Sequence, residues 1–170
     1  MQMQNNKLLV FNYLLLFLLS TFAAGIYLFY RDPSIIFNQI ISTTGFEIVS
    51  VKTQIQALLP LPNWIIYSLP GGIWVYVTTL IAKKYDHSEN KFAKGIIQIP
   101  FIYGVGLEFL QLFHFTDGTF DWVDLILILI AEYFAKRSNL NDFPLNKYPR
   151  FLNLVFISAF LVLFLSDLNH

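Results

Sequence analysis

Polar and apolar positions along the chain sort into long apolar runs separated by polar segments. Residues 8–30 are 23 in number and carry no charge, which exceeds the roughly 20 that a helix needs to cross the hydrocarbon of a bilayer. Further runs occupy about 64–82, 95–113, 122–135 and 151–166, the third interrupted only by Gln98, Glu108 and Gln111. The last two are short, so they extend into their flanks or lie where the bilayer thins. The pattern predicts an all-α protein, a polytopic membrane helix bundle of about five transmembrane helices forming one domain over residues 1–170. No internal repeat or low-complexity tract breaks it.

The segment between the first two runs has a pattern of its own. Thr44-Gly45-Phe46-Glu47 has the form of a capping box, in which a hydroxyl and a carboxylate satisfy the free N–H groups of a helix start. Ile48, Val51, Ile55, Leu58 and Leu59 then recur at helical spacing, whereas Lys52, Gln54 and Gln56 point elsewhere. This predicts a short external amphipathic helix, lying on the membrane surface or packed over the bundle as a lid. Pro60 and Pro62 end it.

Composition supports the membrane reading. The chain is 56% hydrophobic and only 13% charged, against about 25% charged in an average soluble domain. With no cysteine, disulfide scaffolds, thiolate zinc sites and cysteine nucleophiles are excluded. Eleven basic residues balance eleven acidic ones, so nothing suggests a nucleic-acid partner. Sorted by side, however, the charges are unequal. Lys7, Lys83, Lys84, Lys91, Lys94, Lys136, Arg137, Lys147 and Arg150 share one side of a five-span topology, and Arg31 and Lys52 the other. Basic residues stay inside, which predicts a multi-pass protein of the bacterial cytoplasmic membrane with its N-terminus cytoplasmic and its C-terminus external. Tyr30, Trp64, Tyr85 and Trp122 near span ends read as interfacial anchors. The first run also has features of a cleaved signal, namely Lys7 and a small-residue stretch at 20–25, but its apolar character continues to Tyr30 and favours a span.

Candidate chemistry concentrates between Gly106 and Asp124, where four of the eleven carboxylates fall and no Lys or Arg occurs from Lys94 to Lys136. Glu108 is the sharpest position, because a carboxylate within a span is costly unless it is paired, hydrated or functional. Steps of four, four and three place Pro100, Gly104, Glu108 and Gln111 on one helical face. Glu108 either accepts hydrogen bonds from the start of the fourth span or serves a ligand, proton or ion. Asp121 and Asp124 stand where an N-cap and a third helical residue would, yet share a face opposite Glu108 and Gln111. Asp117 and His114 complete a weaker cation site whose spacing matches no calcium loop. Leu69-Pro70-Gly71-Gly72 interrupts the second span as a kink or a delayed start, or bares carbonyls to a cavity. Glu132 is expected to snorkel towards Lys136. No Ser-His-Asp triad, P-loop or His-rich motif is present, and no cofactor is implied.

Glu108-x-x-Gln111 followed by Phe120-Asp121-x-x-Asp124 at the next helix start resembles the signature of the VanZ-like family of small bacterial membrane proteins. The Leu69-Pro70…Trp74 segment is similar to a motif of some members, so the resemblance covers roughly residues 69–135. Two places depart from it. Asp117-Gly118-Thr119 stands where many members carry an arginine, and Ile128 and Ala131 replace an Asn and a Gly. The resemblance implies an envelope protein linked to susceptibility to the glycopeptide teicoplanin. On this reading Glu108, Gln111, Asp121 and Asp124 bind an envelope lipid, antibiotic or cation at an external acidic hairpin, without a recognisable enzymatic constellation. One alternative is a membrane-embedded enzyme acting on a polyprenyl or glycolipid phosphate, with Glu108 as general acid/base. Another is an ion- or proton-coupled transporter subunit.

Overall fold

Helices and a 3-10 turn make up all the regular structure among the described residues, as the apolar periodicities predict. The structure, a computed structural model, describes residues 2–32, 39, 43, 48–83, 91–116 and 119–138. The fifth run, the capping box at 44–47, Asp117, Tyr85, His87 and His170 lie outside them. In chain order the elements are α1 (Gln2–Tyr30), α2 (Ile48–Leu58), α3 (Asn63–Tyr67), α4 (Leu69–Ala82), α5 (Lys91–Gly95), a 3-10 turn (Ile96–Gln98), α6 (Ile99–Leu112) and α7 (Trp122–Arg137).

Each boundary has a local cause. Pro60 and Pro62 separate α2 from α3, and Pro62 is the N-cap of α3. Ser68 breaks the second apolar run, and α4 restarts with Pro70 in its first turn, where a missing N–H costs nothing. The Leu69–Gly72 segment is thus a kinked restart. Pro100 does the same for α6. At the far end of α6, His114 takes φ 58° while its N–H bonds Gln111 O at 3.0 Å and the Phe115 N–H bonds Leu110 O at 2.8 Å. This is a Schellman ending, with a histidine in the left-handed position that glycine usually fills. Asp121 is the N-cap of α7, its carboxylate accepting from the Val123 N–H at 2.8 Å.

α4 is the hub. Leu16 of α1, Val77 and Leu80 of α4 and Ala135 of α7 form one buried cluster, and Val75, Ile128 and Ala131 a second. Gly72 lets α4 and α7 approach so closely that a Cβ there would meet Leu127 Cβ at 3.2 Å. Gly104 does the same for α6, against Ile128 and Val75. The four long helices alternate in direction. The end of α1, the start of α4, the end of α6 and the start of α7 meet at one end of the bundle. At the other, Lys83 donates to the Ala135 and Lys136 carbonyls at 3.2 and 3.0 Å, and Lys136 reaches Gln98 Oε1 at 3.0 Å.

Two expectations change. Lys52 and Gln56 of α2 do not point away. Lys52 is buried, 4% exposed, and its ammonium donates to Arg31 O at 2.6 Å, while the Gln56 amide donates to Phe29 O at 2.8 Å. These carbonyls belong to the end of α1, where unsatisfied C=O groups and the helix dipole favour a cation. α2 therefore docks by a mixed face, Lys52 buried between half-buried Val51 and Ile55, and Leu58 and Leu59 of the predicted apolar stripe stay exposed. Glu132 reaches Lys136 at 2.7 Å as expected, but from a buried position in which it also accepts from Thr79 Oγ1 at 3.0 Å. Among the described residues, only the helical stretch Asn63–Ala82 is long and apolar enough by itself to cross a membrane, the apolar stretches Leu14–Tyr30 and Ile96–Leu112 being shorter.

Candidate functional site

The predicted helical face of α6 is the buried one, carrying Pro100, Gly104 and Glu108 inward. Glu108 is 6% exposed. Its Oε2 accepts from the Asp121 backbone N–H at 3.3 Å, so this carboxylate ties the end of α6 to the start of α7. Asp121 spends its own side chain on capping α7. Asp124, one turn on, is not used in that way. It turns inward, where Ser68, Glu108, Asp121 and Arg31 surround it. Of the two aspartates read as capping groups, one caps and the other faces inward.

Glu108, Gln111, Asp121 and Asp124 line a single cavity of about 1020 Å³ at this end of the bundle. The sequence brings these four together, as spacing and an antiparallel hairpin predict. His114 does not join them. It is exposed and absent from the cavity wall, because its left-handed backbone serves the helix ending. Among the described residues no cluster of three metal-ligating side chains occurs, so the cation site drawn through His114 is not formed by them.

The rest of the wall comes from elements that sequence spacing could not connect to the hairpin. Tyr27, Arg31 and Asp32 arrive from the end of α1, Asn63, Trp64 and Tyr67 from α3, and Ser68 and Gly71 from the kink. Arg31 is the main addition. Its guanidinium lies 5.0 Å from the Tyr27 ring centroid and 4.8 Å from that of Tyr67, and it donates to Tyr67 O at 3.0 Å. Two ring faces against the guanidinium favour a cation at this place. The hairpin loop lacks an arginine, and a different element delivers one to the same acids. One signal was available in the sequence: Arg31 is one of only two basic residues on its side of the predicted topology.

Within this wall several buried polar atoms have no hydrogen-bond partner, namely Arg31 Nε, Ser68 Oγ, Gln111 Oε1, Thr116 Oγ1 and Asp124 Oδ1. Buried polar groups are almost always satisfied, and each unsatisfied one costs about 1–3 kcal/mol. Ser68 shows how this arises. A serine at an N-cap normally accepts from the second or third helical N–H, but Pro70 at the second position has none, and Ser68 makes no side-chain cap. Its hydroxyl lies instead against the Asp124 carboxylate in the cavity wall, with the residue 2% exposed. Trp74 and Tyr103, with ring centroids 5.4 Å apart, supply an apolar flank. Aromatic faces beside convergent acceptors and donors suit a polar ligand with an apolar part. No protein-family description, no curated protein and no solved structure matches the chain.

Proposed function

We propose that this chain is a multi-pass membrane protein of the bacterial envelope, similar to VanZ-like proteins, which binds the polar part of an envelope lipid or of a glycopeptide at its external end. The cavity carries the reading. Five unpartnered buried polar atoms from four separate parts of the chain converge on one space, a costly arrangement for packing alone and a suitable one for ligand recognition.

The placement of polarity supports the membrane part. Ser68, Thr79, Glu108 and Glu132 are buried, whereas Phe17, Phe22, Ile102, Ile126, Leu129 and Phe134 are exposed. A surface of that kind suits lipid contact and would be a liability in water. The helices of the bundle bury carboxylates and hydroxyls against one another, where polar partners satisfy them. Catalysis is not part of the proposal.

Binding of teicoplanin and of extracted envelope lipids to the full chain in lipid nanodiscs tests the reading, alongside glycopeptide susceptibility of cells expressing it. Glu108→Gln and Asp124→Asn are expected to weaken binding and shift susceptibility while the protein stays folded. Full retention of both properties in both variants sinks it.

A further inference from the structure

The unpartnered atoms of the cavity specify more than general polarity, because they include a donor from the end of α1 and acceptors from α6 and α7. Arg31 contributes an N–H donor, its guanidinium lying against the Tyr27 and Tyr67 rings. The α6–α7 side contributes acceptors, Asp124 Oδ1 and Gln111 Oε1, with Glu108 already engaged by the Asp121 N–H. Ser68 and Thr116 hydroxyls serve either way. A neutral sugar would meet the acceptors but offer the guanidinium only hydroxyl oxygens, whereas an anionic oxygen makes the stronger, charge-assisted bond. A bare anion would satisfy Arg31 and be repelled by the carboxylates. A ligand with an anionic group at one end and N–H or O–H donors at the other answers both.

The geometry points to an amino- or hydroxyalkyl phosphate as the ligand class, the phosphate on Arg31 and the donor group on Asp124 and Gln111. This rests on the polar-ligand reading of the cavity and narrows it. Arginine is the residue best shaped for phosphate oxygens, since its planar fork donates along fixed directions. The donor end requires hydrogens: an ethanolamine ammonium or a glycerol has them, whereas a choline trimethylammonium carries the same charge and has none. That difference separates hydrogen-bond recognition from mere charge pairing. The same chemistry occurs in phospholipid headgroups and in their soluble glycerophosphoryl counterparts.

Tryptophan fluorescence of the full chain in nanodiscs provides the readout, because Trp64 and Trp74 line the cavity and Trp122 does not. Trp122→Phe removes the background. Glycerophosphoethanolamine is titrated into phosphatidylcholine nanodiscs, beside glycerophosphocholine, inorganic phosphate and a neutral octyl glucoside. A parallel series replaces part of the phosphatidylcholine with phosphatidylethanolamine. Saturable response to the ethanolamine phosphate is expected, with the choline form at least about tenfold weaker, the value of one charge-assisted hydrogen bond. Arg31→Gln is expected to lose about tenfold or more for the phosphate ligands and to leave octyl glucoside unchanged. Arg31→Lys, which keeps the charge, recovers part of the loss and shows that folding is intact. A response from the lipid series alone assigns the site to a membrane headgroup, and from both series to the shared chemistry. Equal binding of ethanolamine and choline forms, or an Arg31→Gln variant binding phosphate ligands as wild type does, overturns the inference. If glucoside or teicoplanin binds while no phosphate ligand does, the narrowing fails and the polar-ligand reading survives. If no ligand of any kind binds, both fail.

Discussion

Glu108 and Lys52 show that the same residue-level feature, a buried charge, arises here for different reasons. Glu108 serves as an acceptor for the start of α7. Glu108→Gln keeps an acceptor oxygen and the shape, so stability should change by less than about 1 kcal/mol. Glu108→Leu orphans the Asp121 N–H and should cost about 1–3 kcal/mol. Unfolding by denaturant in micelles separates the two, and equal losses would mean that the hydrogen bond contributes nothing. Lys52 instead caps a helix end from outside the apolar runs. Burial pushes its pKa below the ordinary lysine value of 10.5, and the Asp32 carboxylate partly opposes that shift. Between the lowered value and 10.5 the unfolded chain therefore binds more protons than the folded one, so stability rises with pH through that window. Lys52→Met should flatten this slope and, by stripping the end of α1 of a donor, cost about 1–2 kcal/mol at neutral pH. An unchanged slope in the variant would remove Lys52 as its source. The sequence displayed Glu108 openly, since a carboxylate in an apolar run is conspicuous. It concealed Lys52, because a lysine on an amphipathic helix looks like solvent-facing charge until the end of α1 is brought against it.

At the scale of elements, helix starts and stops were readable because their causes are local. Pro62, Pro70 and Asp121 each fix a boundary within a turn of themselves; Pro100, read only as part of a helical face, also marks a start, so the third run begins its long helix at Ile99 rather than near residue 95. The inward face of α6 was equally readable from its four-residue spacing. What spacing could not supply is which helices touch, since that depends on long-range packing through small residues. Gly72 and Gly104 both sit at such contacts, but with different neighbours. A Cβ on Gly72 would meet Leu127 Cβ at 3.2 Å and the Leu127 carbonyl oxygen at 3.4 Å, atoms tied to a rigid backbone. A Cβ on Gly104 would meet Ile128 Cδ1 and Val75 Cγ2 at 3.2 Å, side-chain methyls rather than atoms tied to a backbone, the first at the end of a flexible chain. Alanine gains about 1 kcal/mol of helix propensity over glycine at either place, and overpacking costs about 1–3 kcal/mol where neighbours cannot yield. Gly72→Ala should therefore destabilise by about 1 kcal/mol and Gly104→Ala should be close to neutral. Thermal unfolding of the two variants side by side checks the ranking. A Gly104→Ala variant less stable than Gly72→Ala would show that the α6 contact is the tighter one.

Over the whole molecule, the neutral charge total hides a polar axis. At one end Lys83 covers the closing carbonyls of α7 and Lys136 binds Glu132 and Gln98. At the other lie Arg31, Lys52 and the carboxylates of the cavity. The alternation of four helices puts these groups at opposite ends of the bundle. The absence of native cysteine makes the proposed orientation directly measurable, since a single introduced thiol has no competitor. Gln54 on α2 and Lys91 on α5 are both exposed and lie on opposite sides of the proposed topology. In intact cells a membrane-impermeant maleimide should label Gln54→Cys and leave Lys91→Cys untouched. After permeabilisation both should react. The positive-inside bias predicts this direction, and it places the cavity where an envelope ligand can enter from outside. Labelling of Lys91→Cys alone in intact cells would invert the bundle and put the cavity on the cytoplasmic side. Equal labelling of both before permeabilisation would remove the membrane from between them.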